Sequence, residues 1–429
     1  MTAEIASLKK SLTIYRGLVE VSGLIGSITD YDELLRAILD VARRVIRAEA
    51  ASLFFVNTTT GDLDLVITST VEGQFEKPKI SVPKGRGIAG WVFAHAEALL
   101  IPDAYADERF YKEADKQTGF RTRSILCTPL LRGDEVVGVL QILNPRDKES
   151  FEEEDLDGFR AYANLTATAI EKLRALEERR RQERMRRDLD IAAEIQSELL
   201  SRAIPPEIPG ARFAAFNRPA ANVGGDFYDV FVKSPEEIYF AIGDVSGKGI
   251  SASLLMAQTL SAMQFVFASA KEPAGALCAL NDTLSERIVR GMFVTALLGK
   301  LNPSTGEVVL ASAGHCKPLV VRAAGGVGHP DIEPALPLGI LPGRMYSQTA
   351  ARLGPGDLLV AFTDGLTESK GAADGEFFES TIPEILAVQT GRGPEDLVAA
   401  IIEAERLHRR EGPQADDLTI LVGGPTPAP

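Results

Sequence analysis

The run Ala241-Ile242-Gly243-Asp244-Val245-Ser246-Gly247-Lys248-Gly249 constrains this chain more than any other stretch. Residues 238–242 read as a short buried strand, a glycine-rich turn follows, and a helix-prone stretch begins near Ser251. A carboxylate is thereby set at the end of a hydrophobic strand. That placement costs desolvation free energy unless a positive charge compensates it, and the strand itself carries no Lys or Arg. The arrangement recurs in Gly224-Gly225-Asp226-Phe227-Tyr228-Asp229, in the apolar residues 358–362 running into Thr363-Asp364-Gly365, and in Asp416-Asp417 leading into residues 418–422. None of these acids has His or Cys beside it in sequence. Hard oxygen ligands of this kind suit Mg²⁺ or Mn²⁺ better than Zn²⁺.

A chain of 429 residues is too long for one ordinary core and points to two domains with a linker. Its 45% hydrophobic and 25% charged residues are those of a globular protein. The N-terminus, with Glu4, Lys9 and Lys10 among apolar residues, does not read as a signal peptide, and no apolar run is expected to span a bilayer, so a cytoplasmic location is expected. Cys127, Cys278 and Cys316 are far apart and odd in number, which fits reduced thiols used in packing. The net charge of −14 argues against nucleic acid or an anionic membrane as the main partner. Arg179-Arg180-Arg181, Arg184, Arg186 and Arg187 are interleaved with Glu177, Glu178, Glu183, Asp188 and Asp190 and read as a solvated helix face.

Along the chain, residues 5–46 read as helix interrupted near Gly23 and Gly26, with Leu8, Leu12, Tyr15 and Leu18 on one face. Strands are expected at 52–56, 63–68, 98–101, 125–131 and 136–144, and helices at 87–95 and 153–176, an α+β domain closing near residue 170. Ala51-Ser52-Leu53-Phe54, Gly85 to Val92, Ser124 to Leu130 and Gly138 to Asn144 occur in the order of a GAF sensory domain, which residues 31–171 resemble. The resemblance implies a ligand pocket over one sheet face, an unidentified small-molecule or protein input, and dimerisation through terminal helices. Cyclic-nucleotide-binding relatives carry an Asn-Lys pair followed by Phe, Asp and Glu; here Pro145 and Leu156 depart from that pattern. Trp91 and His95, one turn apart, read as core and surface before pocket lining. From 168 to 200 there is no Gly or Pro, and Ile170, Leu173, Leu176, Met185, Leu189, Ala192, Ile195 and Leu199 suggest a signalling helix that pairs as a coiled coil in a homodimer, or else a solvated spacer.

Beyond Pro205, Pro206 and Pro209, strands are expected at 213–217, 238–242, 293–301, 307–312, 319–322, 357–362 and 418–422, with helices at 251–270, 275–290 and 394–408. That order suggests two sheets face to face with helices outside, an αββα sandwich whose rim could gather the acids. The motifs Val223 to Asp229, Gly243 to Gly249, Phe293-Val294-Thr295-Ala296, Ala313-Gly314-His315, Thr363 to Glu368 and Asp416-Asp417-Leu418-Thr419 together resemble the stage II sporulation protein E type phosphatases, within the metal-dependent (type 2C-like) serine/threonine protein phosphatases. The resemblance covers residues 188–422.

It implies two divalent cations, Mn²⁺ or Mg²⁺: Asp226 on one, Asp244 bridging, the Val245 carbonyl completing a ligand set, and Asp364 and Asp416 on the other, with Asp416 preferred to Asp417. These make water nucleophilic toward a phosphoryl group. Asp226, Asp244, Asp364 and Asp416 are thus the expected catalytic residues. Asp229, Thr295 and His315 are expected to support the site, with His315 as general acid and Lys248 or Arg218 as phosphate contacts the sharper alternatives. The expected organisation is 1–170 GAF domain with N-terminal helix, 171–204 helical linker and 205–425 phosphatase domain. The expected substrate is a phosphoserine or phosphothreonine on an anti-anti-sigma-type regulatory protein, with the GAF domain in control. A partner-binding protein that keeps the fold without catalysis is the alternative, and the missing Glu after Gly224-Gly225-Asp226 sets aside a diguanylate cyclase.

Overall fold

The computed structural model describes residues 30–69, 74–77, 79–112, 115, 120–286, 288, 291–370, 381–410 and 412–427, together with Val19 and Gly23. The expected helix over 5–29 and the end of the helix expected over 275–290 fall largely outside them. The chain divides into two compact units, Met1–Glu183 and Arg184–Pro429.

In the first unit, helix α1 (Tyr31–Val45) begins where Asp30 accepts the Glu33 amide at 2.9 Å, with Asp32 and Glu33 in the first turn and Arg43 and Arg44 in the last, as the helix dipole favours. Its Leu34, Leu35, Ile38, Leu39 and Ala42 are buried against a sheet. The strands are β1 (Ala48–Val56), β2 (Leu63–Ser69), β3 (Phe75–Glu76) and β4 (Ser81–Val82), then, after helix α2 (Gly87–His95), β5 (Leu99–Ile101), β6 (Ile125–Arg132) and β7 (Glu135–Pro145). They pair antiparallel in the order β3-β2-β1-β7-β6-β5, with β4 on β2. Helix α3 (Glu153–Ser201) shares the α1 face, where the Tyr162 hydroxyl donates to the Ile38 carbonyl at 2.6 Å. On the other face Ile88, Ala89 and Val92 of α2 pack on Phe54, Ile125, Cys127 and Val139. Trp91 and His95 stack ring on ring, 4.1 Å between centroids. Asn144 is spent on the fold: its amide donates to Glu49 Oε2 and the Arg121 carbonyl, both at 2.8 Å, and its oxygen accepts the Arg123 amide at 2.6 Å.

Helix α3 runs 49 residues and joins the helix expected at 153–176 to the one expected over 168–200, because nothing between Glu153 and Ser201 other than Gly158 interrupts helix propensity. Leu176, Met185, Ile191, Ile195 and Leu199 are exposed along it.

The second unit holds two five-stranded antiparallel sheets. One has the order β15-β12-β11-β10-β9, built from β9 (Phe227–Ser234), β10 (Glu237–Val245), β11 (Val294–Leu301), β12 (Glu307–Ala313) and β15 (Thr349–Arg352). The other has the order β14-β13-β16-β17-β8, from β8 (Ala211–Arg218), β13 (Leu319–Val321), β14 (Val327–Gly328), β16 (Leu358–Phe362) and β17 (Leu418–Pro425). Helices α4 (Ile250–Ser269) and α5 (Pro273–Ser285) cover the first sheet; α7 (Thr381–Ala387) and α8 (Pro394–Arg409) cover the second, and α6 (Asp364–Thr367) is a single turn after β16. One core joins Ile242, Leu260, Met263 and Leu297 to Leu359, Ala361 and Leu421 of the facing sheet. The αββα sandwich is therefore present. Strand β9 was not expected, because its first residues read as part of an acidic loop.

One expectation needs correcting. Helix α4 has no charged residue and a mean hydropathy of 1.4 over 18 residues, so by length and composition it could cross a bilayer. Here Ala252, Leu255, Met256, Leu260, Met263 and Phe267 pack it onto the first sheet as a core helix.

Candidate active site

Strand register brings the acids together. Gly243 pairs with Phe227 and Asp244 with Thr295, so the end of β10 and the start of β9 share one edge of their sheet. Phe362 pairs with Ile420, which sets the end of β16 beside the start of β17 in the other sheet. Asp226 precedes β9, Asp244 lies one residue from the end of β10, Asp364 follows β16 and Asp416 precedes β17. All four thus lie at strand ends on one rim of the sandwich.

Side chains lace that rim across the sheets. Thr363 Oγ1 donates to Asp226 Oδ2 at 2.7 Å and accepts the Thr419 amide at 2.9 Å. Asp417 accepts the Ala220 amide on Oδ1 and the Gly225 amide on Oδ2, both at 2.7 Å. Both oxygens of Asp417 are therefore occupied in holding the Gly-Gly-Asp loop. The loop has no room for side chains there: a Cβ on Gly224 would stand 2.4 Å from Asp417 Oδ2, and one on Gly225 would stand 2.7 Å from the Val245 carbonyl oxygen and 3.3 Å from Asp244 Oδ1. The same close approach sets the Val245 carbonyl beside Asp226 and Asp244. From α3, Gln196 clasps Gly224 twice, donating to its carbonyl at 2.8 Å and accepting its amide at 3.0 Å.

Electrostatically the rim is an acid cluster in which Lys248 reaches Asp416 and burial and mutual repulsion raise the other acids. Burial, then the Asp244 charge, hold the Asp226 carboxyl far above the usual carboxylate range. Burial, then the charges of Asp364, Asp416 and Asp417, push Asp244 up to about 7. Asp364 is raised by burial, Glu368 and Asp416. Asp226 is 1% exposed, and its Oδ1 has no hydrogen-bond partner. A buried carboxylate oxygen left unpaired beside further acids, in a loop packed against the Val245 carbonyl, fits a hard divalent cation, which would supply compensating charge. Among the described residues no three His, Cys, Asp or Glu side chains are close enough, as they stand, to hold one metal ion together. Asp226, Asp244, the Val245 carbonyl, Asp364 and Asp416 are the groups that could hold such ions; Asp417 gives both oxygens to backbone amides, whereas Asp416 accepts one amide and meets the exposed Lys248.

The secondary candidates resolve differently. Asp229, on β9, is buried, and burial pushes its carboxyl up to about 6. His315 Nδ1 lies 3.0 Å from Thr295 Oγ1, and burial lowers the imidazole to about 4, which favours its neutral form. Arg218 is no free phosphate contact: its guanidinium pairs with buried Glu405 at 2.7 Å and donates to Gln414 at 2.6 Å. Lys248 reaches Asp416. Burial, and to a lesser degree the charges of Asp364, Asp226 and Asp244, push the Cys316 thiol up to about 12, which places it near the acids despite its distance in sequence. Sequence reasoning missed the roles of Thr363, Thr419, Gln196 and Cys316; the first two flank motif acids, but only the fold shows what they touch.

Comparison with known proteins agrees with this geometry. Residues 234–423 match the model of stage II sporulation protein E (SpoIIE), and residues 30–170 match that of the GAF domain. The phosphoserine phosphatase RsbU of Bacillus subtilis (strain 168) is 30% identical over 242 residues, 56% of this chain and 71% of that protein. A dual 3',5'-cyclic-AMP and -GMP phosphodiesterase 11A of Takifugu rubripes is 37% identical over 135 residues, 29% of this chain but only 15% of its own length. Among solved structures, the SiaA-PP2C domain of Pseudomonas aeruginosa superposes with a TM-score of 0.51 at 20% identity, covering 56% of this chain and 97% of that one, a likeness of fold. With the acids of both sheets on one rim and these relatives beside it, the chain belongs to the stage II sporulation protein E type of metal-dependent serine/threonine phosphatases, with a GAF domain ahead of the phosphatase half.

Proposed function

We propose that the chain hydrolyses phosphoserine or phosphothreonine on a small regulatory protein of the anti-anti-sigma type, with two divalent cations, Mn²⁺ or Mg²⁺, held by Asp226, Asp244, the Val245 carbonyl, Asp364 and Asp416. The observation that carries the metal reading is the buried, unpaired Asp226 Oδ1, raised by burial and by the charge of Asp244 beside it. Divalent cations bound there supply Lewis acidity toward water and toward the phosphoryl oxygens. The chain's own residues do the rest. Thr363 fixes the rotation of the Asp226 carboxylate, leaving Oδ1 to face the cluster. Asp417 and Gln196 fix the loop that carries Asp226, so the acid set is organised before substrate arrives. The RsbU relative, described as a phosphoserine phosphatase, supports the choice of substrate class.

The test is dephosphorylation of a phosphopeptide in Mn²⁺. Turnover by the native chain that Asp244→Asn abolishes supports the reading; retained turnover in that variant removes Asp244 from the centre. Binding of a phosphorylated partner without turnover at any cation concentration would instead favour the non-catalytic alternative. Candidate anti-anti-sigma-type partners that stay phosphorylated beside an enzyme active on peptides would sink the substrate assignment alone.

Control by the GAF domain is part of the same proposal. Gln196 sits near the C-terminal end of α3 and grips Gly224, two residues before Asp226, so a change in that part of α3 alters the acid loop directly. The exposed Ile191, Ile195 and Leu199, spaced four apart, supply an apolar stripe suited to pairing α3 with a second copy in a homodimer. Sedimentation tests this pairing: Ile195→Asp should turn a dimer into a monomer, and an unchanged dimer counts against the stripe.

A further inference from the structure

Lys248 lies in the loop between Asp244 and α4, and its ammonium crosses to the lead-in of β17 in the other sheet. Nζ donates to the Ala415 carbonyl at 2.6 Å and stands 3.1 Å from Asp416 Oδ2. The second oxygen of that carboxylate, Oδ1, accepts the Asp417 amide at 2.9 Å. Both oxygens of Asp416 are thus engaged, one by a cation the chain carries itself.

The two sides of this contact differ in freedom. The backbone at Asp416 is held by Gln414, whose amide donates to the Asp416 and Arg218 carbonyls at 2.7 Å each, and by the two amide contacts of Asp417. Lys248 is 58% exposed on a flexible stem, between Gly247 and Gly249, whose φ values of 97° and 76° are open to glycine alone. The carboxylate stays; the ammonium can leave. Other lysines of this unit also reach backbone carbonyls, Lys233 that of Ala270 and Lys300 that of Lys271, but the bond of Lys248 to Ala415 sets its charge beside an acid of the cluster, Asp416.

We infer that Lys248 is a positioning residue that competes with a divalent cation for Asp416, and so sets the cation concentration at which the centre fills. The inference rests on the reading of Asp416 as a cation ligand. A lysine ammonium and a divalent ion are like charges and cannot share Asp416 Oδ2 at full strength. Loading the site therefore requires the ammonium to withdraw, and affinity is held below what the acids alone would give.

The experiment is a titration of the full chain with Mn²⁺, following free Mn²⁺ by electron paramagnetic resonance, in the native protein, Lys248→Met, Lys248→Arg, Asp416→Asn and the Lys248→Met, Asp416→Asn double variant. Melting without metal confirms that each is folded. Removing the charge while keeping the stem, Lys248→Met should bind Mn²⁺ at least about fivefold more tightly, the factor expected from one like charge at this range in a wet site. Lys248→Arg, which keeps the charge, should bind as the native chain does. In the Asp416→Asn background the methionine should make no difference, because the contested carboxylate is gone. Equal or weaker binding by Lys248→Met overturns the inference, as does a gain that survives Asp416→Asn. Unchanged Mn²⁺ affinity in Asp416→Asn alone would remove Asp416 from the cation set, and the inference with it.

Discussion

Asp226 and Asp244 carry charges that the fold makes costly, and that cost is measurable. Both carboxyls are raised, Asp244 to about 7, so the metal-free folded protein holds protons there that the unfolded chain, with its carboxyls near 4, has lost. Their contribution is favourable below that unfolded value and is lost as pH rises through the folded value. Without metal, the melting temperature should therefore fall between about pH 4 and pH 7. Asp244→Asn should flatten the slope, and Mn²⁺ should restore stability at pH 8; a melting temperature that rises over this interval in chelator contradicts the electrostatics. In turnover, Asp244→Asn should cost at least about 100-fold, the scale of losing one preorganised electrostatic partner of a transition state. Asp417→Ala should cost about 10–100-fold in Mn²⁺ affinity, as loss of an outer-shell partner does, whereas the same affinity as the native chain would show that the Gly-Gly-Asp loop holds its shape unaided. The acids themselves were legible in the sequence, since each stands beside Gly at the end of an apolar run. Their hydrogen-bond partners were not: nothing in the spacing of Gln196, Thr363 and Thr419 reveals that they meet at one rim, because the bond from Thr363 to Asp226 alone joins residues 137 positions apart.

At the level of elements, regular patterns survived best. Helix α2 was expected over 87–95 and is found at Gly87–His95, and β16, expected at 357–362, is found at Leu358–Phe362. Strand β9 escaped because Phe227-Tyr228-Asp229 interrupts the apolar pattern with a buried acid, and β15, Thr349–Arg352, because its alternation is short and half exposed. The stretches expected as helix at 153–176 and 168–200 form one element, α3, because helix propensity persists where the charged middle weakens the amphipathic spacing. Two elements give tests. Asp30 caps α1 through the Glu33 amide, so Asp30→Ala should destabilise the first unit by about 1 kcal/mol; denaturant unfolding reads this, and no change would mean another group closes the helix end. The α3 clasp gives the other: Gln196→Ala should weaken Mn²⁺ binding about 10–100-fold while far-ultraviolet dichroism stays that of the native chain. Affinity equal to native would show that α3 does not reach the acid loop energetically.

Across the whole molecule, the acid rim is assembled from both sheets and from the end of α3, so shortened chains should separate their contributions. A chain beginning at Arg184 keeps Gln196 and should bind Mn²⁺; one beginning at Phe213 lacks the clasp and should bind it more weakly. Equal binding by the two would confine the centre to the sandwich and leave the GAF unit no route to it through this helix. The central claim is that carboxylates from the facing sheets converge on divalent cations. Anomalous diffraction at the manganese edge from crystals of the full chain grown with Mn²⁺ tests it most directly. The account predicts two manganese positions at this rim, with Asp244 on both, Asp226 on one, and Asp364 and Asp416 on the other; manganese bound elsewhere, or none at the rim while the crystallised protein still hydrolyses phosphopeptide, would contradict it.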